Sequence, residues 1–440
     1  MAIIAPFEGV YYDPTLVPLA DVIAPPYDVL SPAQQDAYYA LHPENIVRLM
    51  LNKDQPDDNE TNNRYTRAAE FLQQALASGT LVQDTEPAYY EYIQRFEHPT
   101  DSNRIVERKT LFVALKLAPY SEGVVLPHEE THPKAKADRL NLMRATHANP
   151  EPIYGLYEDP DLYVAKALDE SGAGSDPLLV AIFAGKSGPD AEQHLIYRHA
   201  GAELIANLNA FFEPRRVWIA DGHHRYETAL NYQAETTAAG KASPKPEDYL
   251  LIGLSAFEDP GLVVLPTHRL VKNVSPSRFD DLLLQLKRYF TVQMFPVDEA
   301  RSWIKQEVAG EKRIVIIKKG ACYALTLRDF SIAEAAMEGH HCAAWKRLDV
   351  TILQMLVLDR SLGISWTSLA HTHDIAYTRD EQEAVDRVLS GEFQLACLLQ
   401  NPAVDEVRDV ASAGDKMPQK STFFYPKLWS GLIIRLLESR

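Results

Sequence analysis

The chain is expected to fold as an α/β (α+β) protein in two domains, and three observations point there. Its 440 residues suit two or three domains, and an apolar fraction of 46% is ample for burying their cores. Runs of strand composition and runs of helical spacing both recur along the whole length. Between them, residues 239–247 are rich in Gly, Pro, Ser and Lys, the composition of an exposed loop or a domain boundary. The expected division is therefore 1–240 and 245–440.

Residues 1–30 alternate short apolar runs with Pro6, Pro14, Pro18, Pro25 and Pro26, so they read as extended chain laid over a core. Pro25 and Pro26 hold Tyr27 and Asp28 stiffly, either as an ordinary turn or as the rim of a site. Ser31-Pro32 opens a helix with Ser at its N-cap. Residues 62–79 form an amphipathic helix with Tyr65, Ala68, Ala69, Leu72 and Leu76 on one side. Residues 88–96 and 109–117 have strand composition and suggest a hairpin around a polar loop at 97–108. Helical spacing resumes near Ala135 and is broken at Asn149-Pro150-Glu151-Pro152. Strands at 178–184 and 194–198, a helix at 202–211, a strand from Val217 and a helix ending near Thr237 complete the first part. Beyond the loop come strands at 249–257 and 262–266, a helix at 279–290 and a hairpin at 313–328. A buried helix at 348–362, a strand at 393–399 and a short helix at 404–413 follow.

The most informative stretch is Asp221-Gly222-His223-His224-Arg225, entered from the apolar strand that starts at Val217. Tyr226, Ala229, Leu230 and Ala234 then fall on one helical face. Asp221 is expected at the N-cap, where its carboxylate can accept a first-turn N–H. Gly222 lets the backbone lie close to whatever sits above the helix start. Free amides and the positive end of the helix dipole make such a start an anion site, and Arg225 can add a two-pronged grip on phosphate. The plainer reading is turn chemistry with two surface histidines; the strand before and helix after favour the phosphate cradle. Gly339-His340-His341 repeats the letters without a strand before it, and reads as a helix cap and loop.

A second cluster lies at 126–139, where His128, Glu129, Glu130, His132, Lys134, Lys136, Asp138 and Arg139 crowd together. Imidazole and carboxylate can act as acid or base, and the cations can hold phosphate oxygens; a charged loop capping a helix is the alternative. His268 and Arg269 follow a strand, facing either a ligand or solvent. His371 and His373 could share one strand face, but no third metal ligand is identifiable. Lys420-Ser421-Thr422 is not a P-loop, because Gln419 replaces the required Gly and Pro418 spoils the amide cradle. Lys416 and Lys420 remain candidates for the ligand site.

Asp221-Gly222-His223-His224-Arg225-Tyr226 resembles the hallmark of a bacterial and archaeal family of uncharacterised proteins. So do Ala24-Pro25-Pro26-Tyr27-Asp28-Val29, His128-Glu129 with Thr131 and Asp138-Arg139, and the run from Gly414 to Thr422. The likeness covers nearly the whole chain. Gly222 through Arg225 is also similar to the Gly-x-x-Arg phosphate loop of the ParB/sulfiredoxin group, which includes partition proteins, sulfiredoxin and free-serine kinases. That resemblance implies a ParB/sulfiredoxin-like mixed domain with a phosphate-binding helix start, beside a second α+β domain.

With 61 acidic and 44 basic residues the net charge is −17, which argues against a dedicated nucleic-acid surface. Three scattered cysteines fit neither a disulfide framework nor a zinc site. No signal peptide or membrane-spanning run is expected, so a cytoplasmic location is. The leading expectation is a small-molecule kinase using ADP or ATP with Mg²⁺. Gly222, His223, His224 and Arg225 would hold phosphate, with Arg139, Lys416 and Lys420 in support. Glu129 or His128 would take the proton from an acceptor hydroxyl, and the resemblance to free-serine kinases implies an amino acid such as free serine, or another small alcohol, as that acceptor. Asp221 or Asp138 could carry the Mg²⁺. A nucleotide-sensing regulator is the alternative, and a DNA-associated partition-type protein the weakest reading. The expected partner is a phosphorylated small molecule; a homo-oligomer stays open.

Overall fold

Every strand that carries the Asp221–Arg225 region belongs to one large sheet, and that sheet decides where the chain divides. The computed structural model describes residues 1–172, 174–183, 192–306, 308–337, 339, 341–365, 374–418 and 420–437, excluding the side chains of 102, 103 and 336. Two compact units form, one of Met1–Leu262 with the chain from Pro426 onward, the other of Val263–Tyr425. Both mix helices and strands, so the fold is α+β.

In chain order the first unit begins with β1 (Ile4–Ala5), β2 (Gly9–Tyr12), α1 (Leu19–Val22) and a 3₁₀ turn at Tyr27–Val29. Next come α2 (Pro32–Leu41), α3 (Val47–Met50), α4 (Arg64–Ser78) and β3 (Leu81–Gln83). The hairpin β4 (Tyr89–His98) and β5 (Asp101–Lys116) follows, then β6 (Val125–Leu126), α5 (Pro133–Thr146), β7 (Ala148–Asn149) and β8 (Ile153–Tyr157). The unit continues through α6 (Tyr163–Gly172), β9 (Leu179–Phe183), β10 (Glu192–His199), α7 (Ala202–Phe212), β11 (Val217–Asp221), α8 (His223–Ala238) and β12 (Tyr249–Ala256).

Among the described residues the large sheet runs β6-β11-β8-β12-β5-β4-β10-β9, with β1 added on β5. β12 pairs with β5 on one side and with β8 on the other, so it is an interior strand of the first unit. That is why the division falls after Leu262 rather than in the 239–247 loop. The polar stretch 97–108 is strand rather than loop, because β4 and β5 keep pairing from Tyr90↔Phe112 out to Glu97↔Ile105. An antiparallel ribbon with wet faces tolerates polar side chains.

Helix limits follow local chemistry. Asn63 and Thr66 form a reciprocal capping box at the start of α4, and Gly79 closes it at φ 81°. Ser31 and Gln34 do the same for α2, with Pro32 in the first turn. α8 lays Tyr226, Ala229 and Tyr232 onto a core shared with Ile153, Val217, Ile219 and Ile252. Each such aromatic or aliphatic side chain contributes roughly 2 kcal/mol on burial. The C-terminal strand Ile434–Leu436 pairs with β2 and β7 in a smaller sheet.

The second unit carries a six-stranded sheet among its described residues. Its expected helix at 348–362 is a short α-turn, Asp349–Ile352, continued by a π-helix, Leu353–Asp359. The described part of the Gly339–His341 repeat follows the helix Phe330–Ala336, whose C-cap is Met337; His340 lies outside the described residues, as do His371 and His373. No described helix is long and apolar enough to cross a membrane.

Candidate functional site

β11 ends at Asp221, the chain turns at Gly222, and α8 begins at His223. Gly222 takes φ 92°, and a Cβ there would lie 2.7 Å from Ile153 Cγ2 and 3.1 Å from Arg225 Nε. Only glycine meets both demands. The N-cap is Gly222, without a side-chain cap, so Asp221 does not fill the N-cap role expected of it. Its carboxylate turns instead to Arg225 Nη2 at 3.0 Å and to Lys427 Nζ. Burial would raise the Asp221 carboxyl, yet Lys427 and Arg225 outweigh it and hold the group below its ordinary value.

Arg225 is 7% exposed and does not reach out as a two-pronged phosphate grip. Its Nη1 donates to the carbonyl of Pro152 at 2.6 Å and its Nη2 to Asp221. The remaining donor, Nε, is buried and makes no hydrogen bond to any described residue. Burial works against the guanidinium charge, and Glu151, Asp221 and Asp28 overcome it.

The 126–139 cluster does meet the start of α8, through two successive imidazoles. The N–H of His128 donates to His223 Nε2 at 3.1 Å, and the N–H of His132 donates to His224 Nε2 at 2.9 Å. Glu227, one turn on, accepts from Thr131 Oγ1 at 2.6 Å and Lys136 Nζ at 2.8 Å. Residues 128–136 are thus a strap tied to the first turns of α8. With Nε2 accepting, each ring in its neutral form carries its proton on Nδ1. His223 Nδ1 lies 3.9 Å from the half-buried Glu129. His224 is pushed below its ordinary value by burial, then by His132.

His128 is fully buried, and its Nδ1–H donates to Ile219 O at 2.6 Å. Burial pushes it down to about 4. It is therefore a neutral strut beneath the strap and is poorly placed as a general base. Asp138 accepts from Tyr65 Oη at 2.8 Å, from Arg139 Nε at 2.9 Å and Nη2 at 2.6 Å, and from Arg64. Burial would raise it, but Arg139 holds it low. Asp138 and Asp221 are both neutralised by cations, which removes the basis for expecting either to carry Mg²⁺. Among the described residues no cluster of three or more His, Cys, Asp or Glu could hold a metal ion.

Arg139 is itself drawn inward. Its Nη1 donates to Met50 O at 2.8 Å and lies 3.5 Å from Glu151 Oε2, while its guanidinium stacks 3.9 Å from the Tyr27 ring centroid. Glu151 went unread in the sequence. It is 3% exposed, accepts the Tyr27 N–H at 3.0 Å and the Ser430 hydroxyl at 3.2 Å, and is raised by burial in spite of Arg225 and Arg139. Its signal was a charge locked between Pro150 and Pro152. Lys427 carries no sign of its role in the sequence; the expected Lys416 and Lys420 belong to the second unit, where Lys420 is exposed.

The family model described as "Protein of unknown function (DUF1015)" matches residues 4–351. The chain belongs to this family. No curated protein matches it. Among solved structures, a conserved hypothetical protein from Pyrococcus furiosus is 12% identical over 74% of this chain and 95% of that one, with a TM-score of 0.34. A free serine kinase in complex with AMP is 12% identical over 72% and 86%, with a TM-score of 0.34. SbnI with a C-terminal truncation, from Staphylococcus aureus, is 12% identical over 73% and 87%, with a TM-score of 0.35. At these values the likenesses carry no argument about chemistry.

Proposed function

We propose that this protein binds a phosphorylated small molecule, a nucleotide in the fullest form of the reading, at the N-terminal end of α8. The observation that carries it is the helix start itself. A 16-residue helix opens from a glycine turn without a side-chain cap, and the buried Nε–H of Arg225 beside that turn has no partner among the described residues. Amides and dipole favour an anion there, and the Nε–H adds one charge-assisted bond.

In the kinase form of the reading, Glu129 takes the proton from an acceptor hydroxyl. It is the carboxylate of the strap that stays half exposed beside His223. A sensor that binds without turnover is favoured by one fact: His128, Asp138 and Asp221 are all committed to internal partners. Calorimetric titration with AMP, ADP and ATP, with and without Mg²⁺, tests binding. Assays of nucleotide conversion with small hydroxyl acceptors, free serine among them, test catalysis. Binding that is lost in Gly222→Ala with the fold intact by circular dichroism supports the site. Conversion lost in Glu129→Gln with binding kept supports the kinase, and binding without conversion supports the sensor. Failure of every phosphorylated ligand to bind overturns both.

A further inference from the structure

Away from the α8 start, three side chains used by nothing above stand in line. Glu91 lies in β4 and His199 ends β10, where the pairing Tyr197↔Glu91 puts the two on one face of the sheet as diagonal neighbours. Glu91 Oε2 is 3.4 Å from His199 Nε2, with the two side chains 4% and 2% exposed. His199 Nδ1 is 3.3 Å from the hydroxyl of Ser171, which is exposed in the last turn of α6. Lys109 on β5 ties α6 to the sheet through Asp169, two residues before Ser171.

Such a buried pair is costly. Glu91 Oε1 and His199 Nε2 are shielded from solvent and make no hydrogen bond to any described residue. An unsatisfied buried polar atom is costly, and its retention calls for a reason. The order carboxylate, imidazole, accessible hydroxyl supplies one, because it is the arrangement that activates a serine.

We infer that Ser171 is a nucleophile that accepts an acyl group from a carboxylic or thiol ester. Ser171 Oγ attacks the carbonyl carbon while its proton passes to His199 Nδ1. The tetrahedral adduct collapses, the bond to the leaving alkoxide or thiolate breaks, and that group departs with the proton from His199. Water then repeats the sequence on the acyl-serine, releasing the acid and restoring the hydroxyl. Glu91 is a positioning residue: its carboxylate, 3.4 Å from Nε2, acts on that edge of the ring through its charge rather than a hydrogen bond, while Nδ1 faces Ser171. A positive charge arriving on the ring lies between Glu91 and the carbonyl end of α6, and both favour it.

The full chain is treated with a fluorophosphonate probe and, separately, with p-nitrophenyl acetate. One probe per chain, mapped to Ser171, and a stoichiometric burst of p-nitrophenol are expected. Both are lost in Ser171→Ala, whose melting curve and nucleotide binding stay unchanged. His199→Gln slows labelling roughly 100-fold. Glu91→Gln slows it less and moves the half-maximum of the rate–pH profile to lower pH, a shift that a packing role alone would not produce. Labelling that persists in Ser171→Ala, or that is no faster in the folded chain than in the urea-unfolded chain, overturns the inference. Should His199→Gln fail to fold, the Ser171→Ala comparison and the Glu91→Gln profile still decide.

Discussion

The N–H of His132 donates to His224 Nε2 at 2.9 Å, and four residues earlier the N–H of His128 donates to His223 Nε2 at 3.1 Å. Neighbouring imidazoles on α8 thus hold two points of one strap, and each can do so only while Nε2 keeps its lone pair. The paired histidines of the motif act as fasteners of this strap.

That dependence predicts acid lability. His128 is pushed from 6.5 to about 4 by burial, so the folded chain binds fewer protons than the unfolded chain between those values. Its contribution is whole above about pH 6.5 and is lost as pH falls toward about 4, on the order of 3 kcal/mol in all. His224, also lowered, acts with the same sign. His268 in the second unit, pushed to about 3, does so as well. Asp138 and Asp221, held below 3.8, act only at lower pH, whereas Asp349, raised to about 6, and Glu151, also raised by burial, take up protons in the folded chain within this window and oppose the loss. Urea unfolding at about pH 7 and pH 5 isolates the His128 share: the change on acidification should be less unfavourable in His128→Gln than in the wild type, and an equal change in both would count against it.

The strap should also loosen when its charged anchor is cut. Glu227→Ala removes the acceptor shared by Thr131 and Lys136. We expect about 1–2 kcal/mol lower stability and faster cleavage by trypsin at Lys134 and Lys136. An unchanged cleavage pattern would mean that the two histidine contacts suffice.

Gly222 offers a controlled comparison. Gly222 and Gly240 have φ 92° and 93°, yet a Cβ on Gly240 meets nothing within 4 Å, whereas one on Gly222 strikes Ile153. Gly240→Ala should cost about 1 kcal/mol, the strain of a left-handed residue alone. Gly222→Ala should cost about 1–3 kcal/mol more, as overpacking does. Denaturant midpoints of the two variants measure the difference, and equal midpoints would show that Ile153 yields freely.

Much of this fold was legible because its signals are local. Asn63, Gly79, Ser31 and Pro32 announce their helix ends within a turn, and Tyr226 and Ala229 announce the buried side of α8, although Ala234 of the same expected face is exposed and Leu230 is only partly buried. The site was legible only as a set of residues, not as a set of bonds. Helix-cap preference says that Asp221 can cap; it cannot say that Lys427, 206 residues on, takes the carboxylate first. Arg225 stands out in the sequence, but its fork is taken by Pro152 and Asp221. The boundary at 239–247 was misplaced for the same reason, since loop composition is local and the pairing of β12 with β8 and β5 is not.

The last prediction concerns the charge that was not foreseen. Glu151 sits 3.5 Å from Arg139 at 3% exposure, and both contact Tyr27. Arg139→Met strips Asp138 of its bidentate partner and leaves Glu151 with less compensation, so it should destabilise the first unit by about 3–5 kcal/mol. Glu151→Gln should cost less, because the amide oxygen still accepts from Tyr27 and Ser430, and Arg225 and Arg139, though deprived of one counter-charge, keep Asp221 and Asp138. Combining the two should cost less than their sum, since the second change removes a carboxylate that the first left exposed to its desolvation cost. Denaturant unfolding of the wild type, both single variants and the double variant measures this coupling. Strict additivity would mean that the two side chains are neighbours without being partners.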